Sequence, residues 1–260
     1  MNFPLIYCNG SSYSSETYNP ANNGTIYANY IAQSLNGFVL NKSRNGNSNK
    51  NILRTSVHDI IHQRKINPDQ KIIAIIGFTY ELRSDIWRED IKPDSPEQSH
   101  FRCHSFTELL DWRERLLNNL RIFERRHIPD AEDPLFEKFY VKYTEGKAYF
   151  FSPYAERINL YCDLLMFTAL CQKYDINYLI FSGSHNEKLE QEYLADFFRE
   201  ELYKDERIFN LEEFGFVKWC QENNFPDLDI DTPRGHFGPQ AHETFANDIL
   251  LPTLKATNQI

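Results

Sequence analysis

The chain has 260 residues, 41% hydrophobic and 15% aromatic, with a formal net charge of −9. That composition supports a sizeable core and excludes a disordered chain. A diffuse acidic surface repels a phosphate backbone, so nucleic acid is not an expected partner, and apolar runs such as "IIAIIGF" and "LLMFTALC" are far too short to cross a bilayer.

The first apolar run, "FPLIYC" (3–8), reads as a β-strand and is broken at once by Asn-Gly and a cluster of serines, "NGSSYSSE". "TIYANYIAQSL" (25–35) follows with a helical pattern, then a second strand, "GFVLN" (37–41). "SNKNILRTSVHDIIHQRK" (48–65) places Ile52, Leu53, Val57, Ile60 and Ile61 at helical spacing, with Ser48 or Asn49 as its cap. The third strand, "KIIAIIGFT" (71–79), is apolar on both faces, as a central parallel strand is when helices cover both sides of the sheet.

Residues 84–155 then interrupt the alternation for far longer than an ordinary connection. Within them "SFTELLDWRERLLNNLRIFERRHI" (105–128) reads as an amphipathic helix, with Ser105 and Glu108 as a capping box and Leu109, Trp112, Leu116, Leu120 and Phe123 as its stripe. The segment is expected to be an inserted helical cap. Alternation resumes with a helix at 157–174, a strand "NYLIFSG" (177–183) and a helix at 186–202. A weaker fifth strand is indicated near "RIFNL" (207–211), and a last helix runs from near Pro239 towards Pro252. The pattern is that of a doubly wound α/β fold with a parallel sheet.

In such a sheet, chemistry collects beyond the carboxyl ends of the strands. There the chain offers "NGSSYS" after the first strand, "NKSRNGNSN" after the second and "GFTYELRSD" after the third, with "DIDTPRGHFGPQAHETFA" leading into the last helix. A serine hydroxyl needs an adjacent base and donors aimed at the developing oxyanion. Ser12 in a strand-to-helix turn could supply its hydroxyl and its own N–H, and Gly46 lets a second N–H approach closely. A lone turn serine is ordinarily solvated; Gly46 and His236 after the expected elements tip the balance towards function. Arg83 is a contact for an anionic substrate group or a surface salt bridge. His100, Cys103 and His104 are three possible ligands without a matching fourth, so no metal is expected. The basic run Arg113, Arg115, Arg121, Arg125 and Arg126 reads as a solvated helix face.

This order of blocks resembles the SGNH hydrolase superfamily, the GDSL esterases, over about 1–83 and 156–257 but not over the insertion. Gly10-Ser11-Ser12 matches the family's Gly-Asp-Ser, with Ser11 in place of the aspartate, and the resemblance makes Ser12 the nucleophile. Gly46 fits the glycine block that donates to the oxyanion. "GFTY" aligns Gly77 but has Thr79 where the family's asparagine donor is expected. "HFGPQAH" carries the two-histidine spacing, His236 to His242, and Pro233 stands where the triad aspartate would be, leaving Asp231 or Asp229 as substitutes.

The expectation is therefore one α/β domain over 1–260, a three-layer α/β/α flavodoxin-like sandwich with a mostly parallel sheet and the 84–155 insertion bordering the cleft. The resemblance implies hydrolysis of an O-acyl ester on a carbohydrate or similar small substrate by Ser12, His236 and Asp231, with Gly46, Thr79 and Arg83 around the substrate. No cofactor, nucleic acid or membrane partner is expected. The alternative is a weak or inactive module of the same fold that binds a ligand or protein. The five cysteines (Cys8, Cys103, Cys162, Cys171, Cys220) are scattered without CxxC spacing, and "MNFPLIYCNG" lacks a basic n-region, so reduced thiols and a cytoplasmic location are expected. Of the two histidines, His236 should lie in a loop facing Ser12. His242, after Pro239, should be a helical core-edge residue bonded to a neighbouring loop.

Overall fold

The computed structural model describes residues 3–15, 25–44, 47–79, 83–87, 101–105, 153–184, 193–228 and 236–260, with 83–87, 101–105, 153–154 and 193–194 as backbone alone. Four parallel strands form the sheet: β1 (Leu5–Gly10), β2 (Phe38–Asn41), β3 (Ile72–Phe78) and, later in the chain, Asn177–Ser182. Between β3 and that last strand lies a separate antiparallel pair, β4 (Arg83–Trp87) and β5 (Phe101–Ser105), so Asn177–Ser182 is β6. The sheet order is β2-β1-β3-β6. In register, β1 pairs Cys8 with Asn41 on one side and Gly10 with Gly77 on the other.

Strict alternation along the strands divides the interior in two. Ile6, Cys8, Ile73, Ile75, Leu179 and Phe181 face one layer, built from α1 (Tyr27–Ser34) and the carboxyl-terminal helices. Leu5, Tyr7, Ile72, Ala74, Ile76, Tyr178 and Ile180 face the other, built from α2 (Asn49–Ile66), α3 (Pro153–Lys173) and α4 (Tyr193–Leu202). The strands β1, β3 and β6 are buried on both faces because each face carries helices, whereas the edge strand β2 is only partly covered, and the fold is the three-layer α/β/α sandwich expected from the sequence. Beyond α4 come α5 (Phe216–Glu222), α6 (Pro239–Phe245) and α7 (Leu251–Ala256).

Several expectations need amendment. Ser48 is the cap of α2, its Oγ accepting from Asn51 N–H at 3.1 Å, and Asn49 is the first helical residue. The fifth strand reduces to a bridge: Ile180 N–H donates to Arg207 O and Phe209 N–H to Ile180 O, both at 2.9 Å, and the next parallel bridge along this edge is the isolated Ser182–Gly215. The last helix does not end towards Pro252 but passes through it to Ala256. A π turn, Ala246–Leu250, sits just before, and this widened turn takes up the bond and the space that a proline denies a regular helix. The insertion opens on β4 and closes its first strand pair with β5, where no strand was expected, and Ser105 ends that pair. The proposed helix from 106 onward lies outside the described residues, as does His100 of the histidine–cysteine group. No helix among the described residues is long and apolar enough to cross a membrane.

Candidate active site

β1 stops at Gly10 and the chain leaves the sheet. Ser12–Ser14 form one 3-10 turn, with Ser14 N–H donating to Ser11 O at 3.1 Å and Ser15 N–H to Ser12 O at 3.2 Å. This departure strips β3 of its neighbour one residue past the end of the pairing. The Phe78 carbonyl turns towards β6, where Gly183 N–H donates to it at 2.6 Å, so the backbone groups of Thr79 point to the vacated side. Asn49 fills that place. Its Oδ1 accepts from Thr79 N–H at 2.8 Å, and its Nδ2 donates to Thr79 O at 3.1 Å. One carboxamide thus does what the next residue of β1 would have done.

The loop after β2 closes over the same edge. Lys42 N–H donates to Cys8 O at 2.8 Å, Arg44 N–H to Gly10 O at 3.2 Å, and Asn47 Nδ2 to Gly10 O at 3.1 Å. Below the turn, Asn9 is committed to the interior, with Oδ1 accepting from Gly10 N–H at 2.9 Å and Nδ2 donating to Thr55 Oγ1 at 2.8 Å. The carboxyl end of β1 is therefore fixed from both sides before Ser12 is reached.

His236 arrives from the far end of the chain. Leu228 N–H donates to its carbonyl at 2.8 Å, Phe237 bridges to Asp227, and the Phe237 ring is buried edge-on against Phe216 at 5.9 Å. These contacts hold the backbone ahead of α6. The imidazole lies beside the Tyr13 ring, 5.4 Å between centroids, and is only 7% exposed. Its Nε2 is 3.0 Å from Ser12 Oγ across 224 residues of chain. In the tautomer with its proton on Nδ1, Nε2 accepts from the Ser12 hydroxyl. A hydroxyl so paired with an imidazole is an activatable nucleophile.

The structure thus brings Ser12 and His236 together. Thr79 is on the neighbouring strand but fully buried, its N–H taken by Asn49 and its hydroxyl without a partner among the described residues. It stands behind the turn and presents no surface to a substrate. Gly46 and Asp231 lie outside the described residues. Arg83 opens β4, which runs beside α2, and its backbone alone is described. Among the described residues no group of three or more His, Cys, Asp or Glu could hold a metal ion.

His242 is helical and buried, as expected, but its surroundings are aromatic rather than a polar loop. It stacks on Phe216 at 4.6 Å, lies 5.6 Å from Tyr27, and its Nδ1 finds no partner among the described residues. Burial pushes its pKa down to about 3, so it is neutral in the fold. Sequence reasoning considered Asn49 only as a helix cap and did not single out Tyr13. An asparagine at a helix start has capping as its ordinary purpose, and nothing in "SNKN" marks one aimed at a strand end instead.

Compared with known proteins, the chain matches no family model and no curated relative. Among solved structures it is similar to the psychrotrophic esterase EstA from Pseudoalteromonas sp., in a form inhibited by monoethylphosphonate. The likeness covers 98% of this chain and 99% of that one, at 9% identity and a TM-score of 0.43. A likeness of that size carries no functional weight, and the site rests on its own geometry.

Proposed function

We propose that the chain is a serine esterase-type hydrolase that cleaves an O-acyl ester on a carbohydrate or similar small substrate. Ser12 Oγ attacks the acyl carbon while His236 Nε2 takes its proton. His236 then returns that proton to the departing alkoxide, leaving an acyl group on Ser12 that water, activated by the same imidazole, removes. Asp231 is the proposed partner that orients His236, and the N–H groups of Ser12 and Gly46 are the proposed oxyanion donors. The chemistry calls for no cofactor. One observation carries this reading: the 3.0 Å approach of His236 Nε2 to Ser12 Oγ, held from opposite ends of the chain.

A second reading, a catalytically weak or inactive module that binds a ligand at the same edge, draws on Thr79. Buried and with its N–H engaged, it offers nothing in place of an asparagine donor, and losing one such donor costs about 10²–10³ in rate.

The deciding experiment is labelling with a fluorophosphonate probe and mapping of the modified residue, alongside turnover of a simple acetate ester. Labelling at Ser12, lost in Ser12→Ala, and turnover lowered by several orders of magnitude in His236→Ala at nearly unchanged melting temperature support the enzyme. A folded wild-type protein that neither labels nor turns over leaves the binding module. If His242→Ala abolishes turnover in a stable protein while His236→Ala keeps it, the assignment of the two histidines is wrong.

A further inference from the structure

Beneath the Ser12 turn runs a buried chain of one thiol and two hydroxyls that the proposed chemistry does not use. Cys8 Sγ–H donates to the Tyr27 hydroxyl at 3.7 Å, and the Tyr27 hydroxyl donates in turn to Ser14 Oγ. Ser14 is the third residue of the 3-10 turn that Ser12 begins. Its backbone is tied as well, its carbonyl accepting from Asn41 Nδ2 at 3.0 Å. All three side-chain partners, Cys8, Tyr27 and Ser14, are buried.

The position of Ser14 Oγ depends on two absent side chains. A Cβ on Gly10 would lie 2.6 Å from it. One on Gly77, the register partner of Gly10, would lie 3.0 Å from it and 3.2 Å from the Tyr27 hydroxyl. Two facing glycines on adjacent strands thus open a notch at the end of the sheet, and the Ser14 side chain is seated in it. Buried beside Cys8, the Tyr27 hydroxyl has its pKa raised well above the ordinary tyrosine value, so it remains a donor at any working pH. A neutral hydrogen bond between two buried groups is an awkward way to gain stability, because apolar packing would serve as well. It is a good way to fix the rotation of a short turn.

We infer that Tyr27 is a positioning residue: through Ser14, seated in the Gly10–Gly77 notch, it sets the turn so that Ser12 Oγ faces His236. Tyr27 touches neither reacting atom. Its effect passes along one hydrogen bond to Ser14 and from there along two residues of 3-10 turn. The inference rests on the proposal that Ser12 is the nucleophile, and the measurements below separate the two.

The test compares wild type, Tyr27→Phe, Ser14→Ala and the double variant. For each, kcat and KM on an acetate ester, the rate of fluorophosphonate labelling and the melting temperature are measured. Tyr27→Phe keeps the ring and removes only the donor. Expected is a fall in kcat and labelling rate of about tenfold with KM within about twofold, since small misplacements of a reacting group cost rate rather than affinity. Because Tyr27 acts through Ser14, the double variant should be no slower than Ser14→Ala alone. Gly77→Ala should also slow labelling, and less so when Ser14 is already alanine, because the 3.0 Å conflict is then removed. Wild-type kcat in Tyr27→Phe with only a lowered melting temperature would overturn the inference, as would fully additive losses in the double variant. Should the wild type itself fail to label or turn over, the nucleophile proposal falls, and the ¹⁵N resonances of the His236 ring decide the positioning alone. They should shift in Tyr27→Phe, and unmoved resonances overturn it.

Discussion

Acid should loosen this fold through His242 before it reaches the carboxylates. The imidazole is buried against Phe216 and Tyr27, and burial holds its pKa at about 3 against an ordinary 6.5. Above pH 6.5 the folded and unfolded chains both carry it neutral, and it has no pH-dependent effect. Below 6.5 the unfolded chain takes up a proton that the folded chain refuses until pH approaches 3, so stability is lost throughout that window as pH falls. Each unit costs at most about 1.4 kcal/mol, so moving from pH 6.5 to 5.0 removes about 2 kcal/mol. Against a total of about 5–15 kcal/mol for a domain, that is a measurable share. The assay is urea unfolding of wild type and His242→Phe at pH 7.5, 6.5, 5.5 and 5.0. Other titrating groups contribute equally to both proteins, so the difference in midpoint isolates His242. The gap should change in favour of the variant by about 2 kcal/mol between pH 6.5 and 5.0. Parallel pH dependences would show that the folded protein protonates this histidine after all, and would refute the aromatic burial on which the reasoning rests.

Asn49→Ala leaves the Thr79 N–H and C=O unpaired at the end of β3 and should cost about 2–4 kcal/mol by urea unfolding, two buried groups being orphaned at once. Arg157 and Glu212 form a buried ion pair joined by Tyr161, whose hydroxyl donates to Glu212 Oε1 at 2.8 Å, and by Arg199 at 3.5 Å. Arg157→Met alone should cost about 2–4 kcal/mol, since Glu212 keeps only the longer contact to the partly exposed Arg199, while Arg157→Met with Glu212→Leu should recover most of it, because the under-compensated buried carboxylate is gone; equal losses in the single and double variants would contradict this.

The framework was legible because each strand is a short apolar run bounded by turn residues, and the period of two places Ile73 and Ile75 on one layer and Ile72, Ala74 and Ile76 on the other. The helices were legible from their stripes, as with Ile52, Leu53 and Ile60 of α2, which are buried. Serine before a helical turn and histidine before Pro239 could be placed at one sheet edge from element order alone, and His236 does face Ser12. What was not legible depends on direction rather than on pattern. The π turn that carries the last helix through Pro252 leaves no trace in hydrophobic period. The strand pair 83–87 and 101–105 joins two short runs, "RSDIW" and "FRCHS", that mix polar and apolar residues without a clean alternation, so no strand pattern marks them in the sequence. Nor does a sequence state that Tyr27 points its hydroxyl at Ser14, since a tyrosine on an apolar helix face reads simply as core.

Thr79 stands where the resemblance to SGNH hydrolases leads one to expect an asparagine donor, and the structure gives that position a different meaning. A carboxamide is present at this strand end, but it comes from Asn49 on α2, and both of its arms are spent on the Thr79 backbone. It holds the strand end closed and has no arm left to donate to a substrate. An oxyanion formed on a Ser12 adduct would then draw on donors other than these two side chains, such as the proposed N–H groups of Ser12 and Gly46. The Thr79 hydroxyl, buried and without a partner among the described residues, is on this account a spectator. Thr79→Val, of nearly equal shape, should therefore leave turnover and labelling within about threefold of wild type and stability equal or higher, since it removes a buried polar atom and no hydrogen bond. A fall of about 10²–10³ at unchanged melting temperature would mean that the hydroxyl turns to meet the oxyanion, and that Thr79 does for this chain what an asparagine side chain would have done.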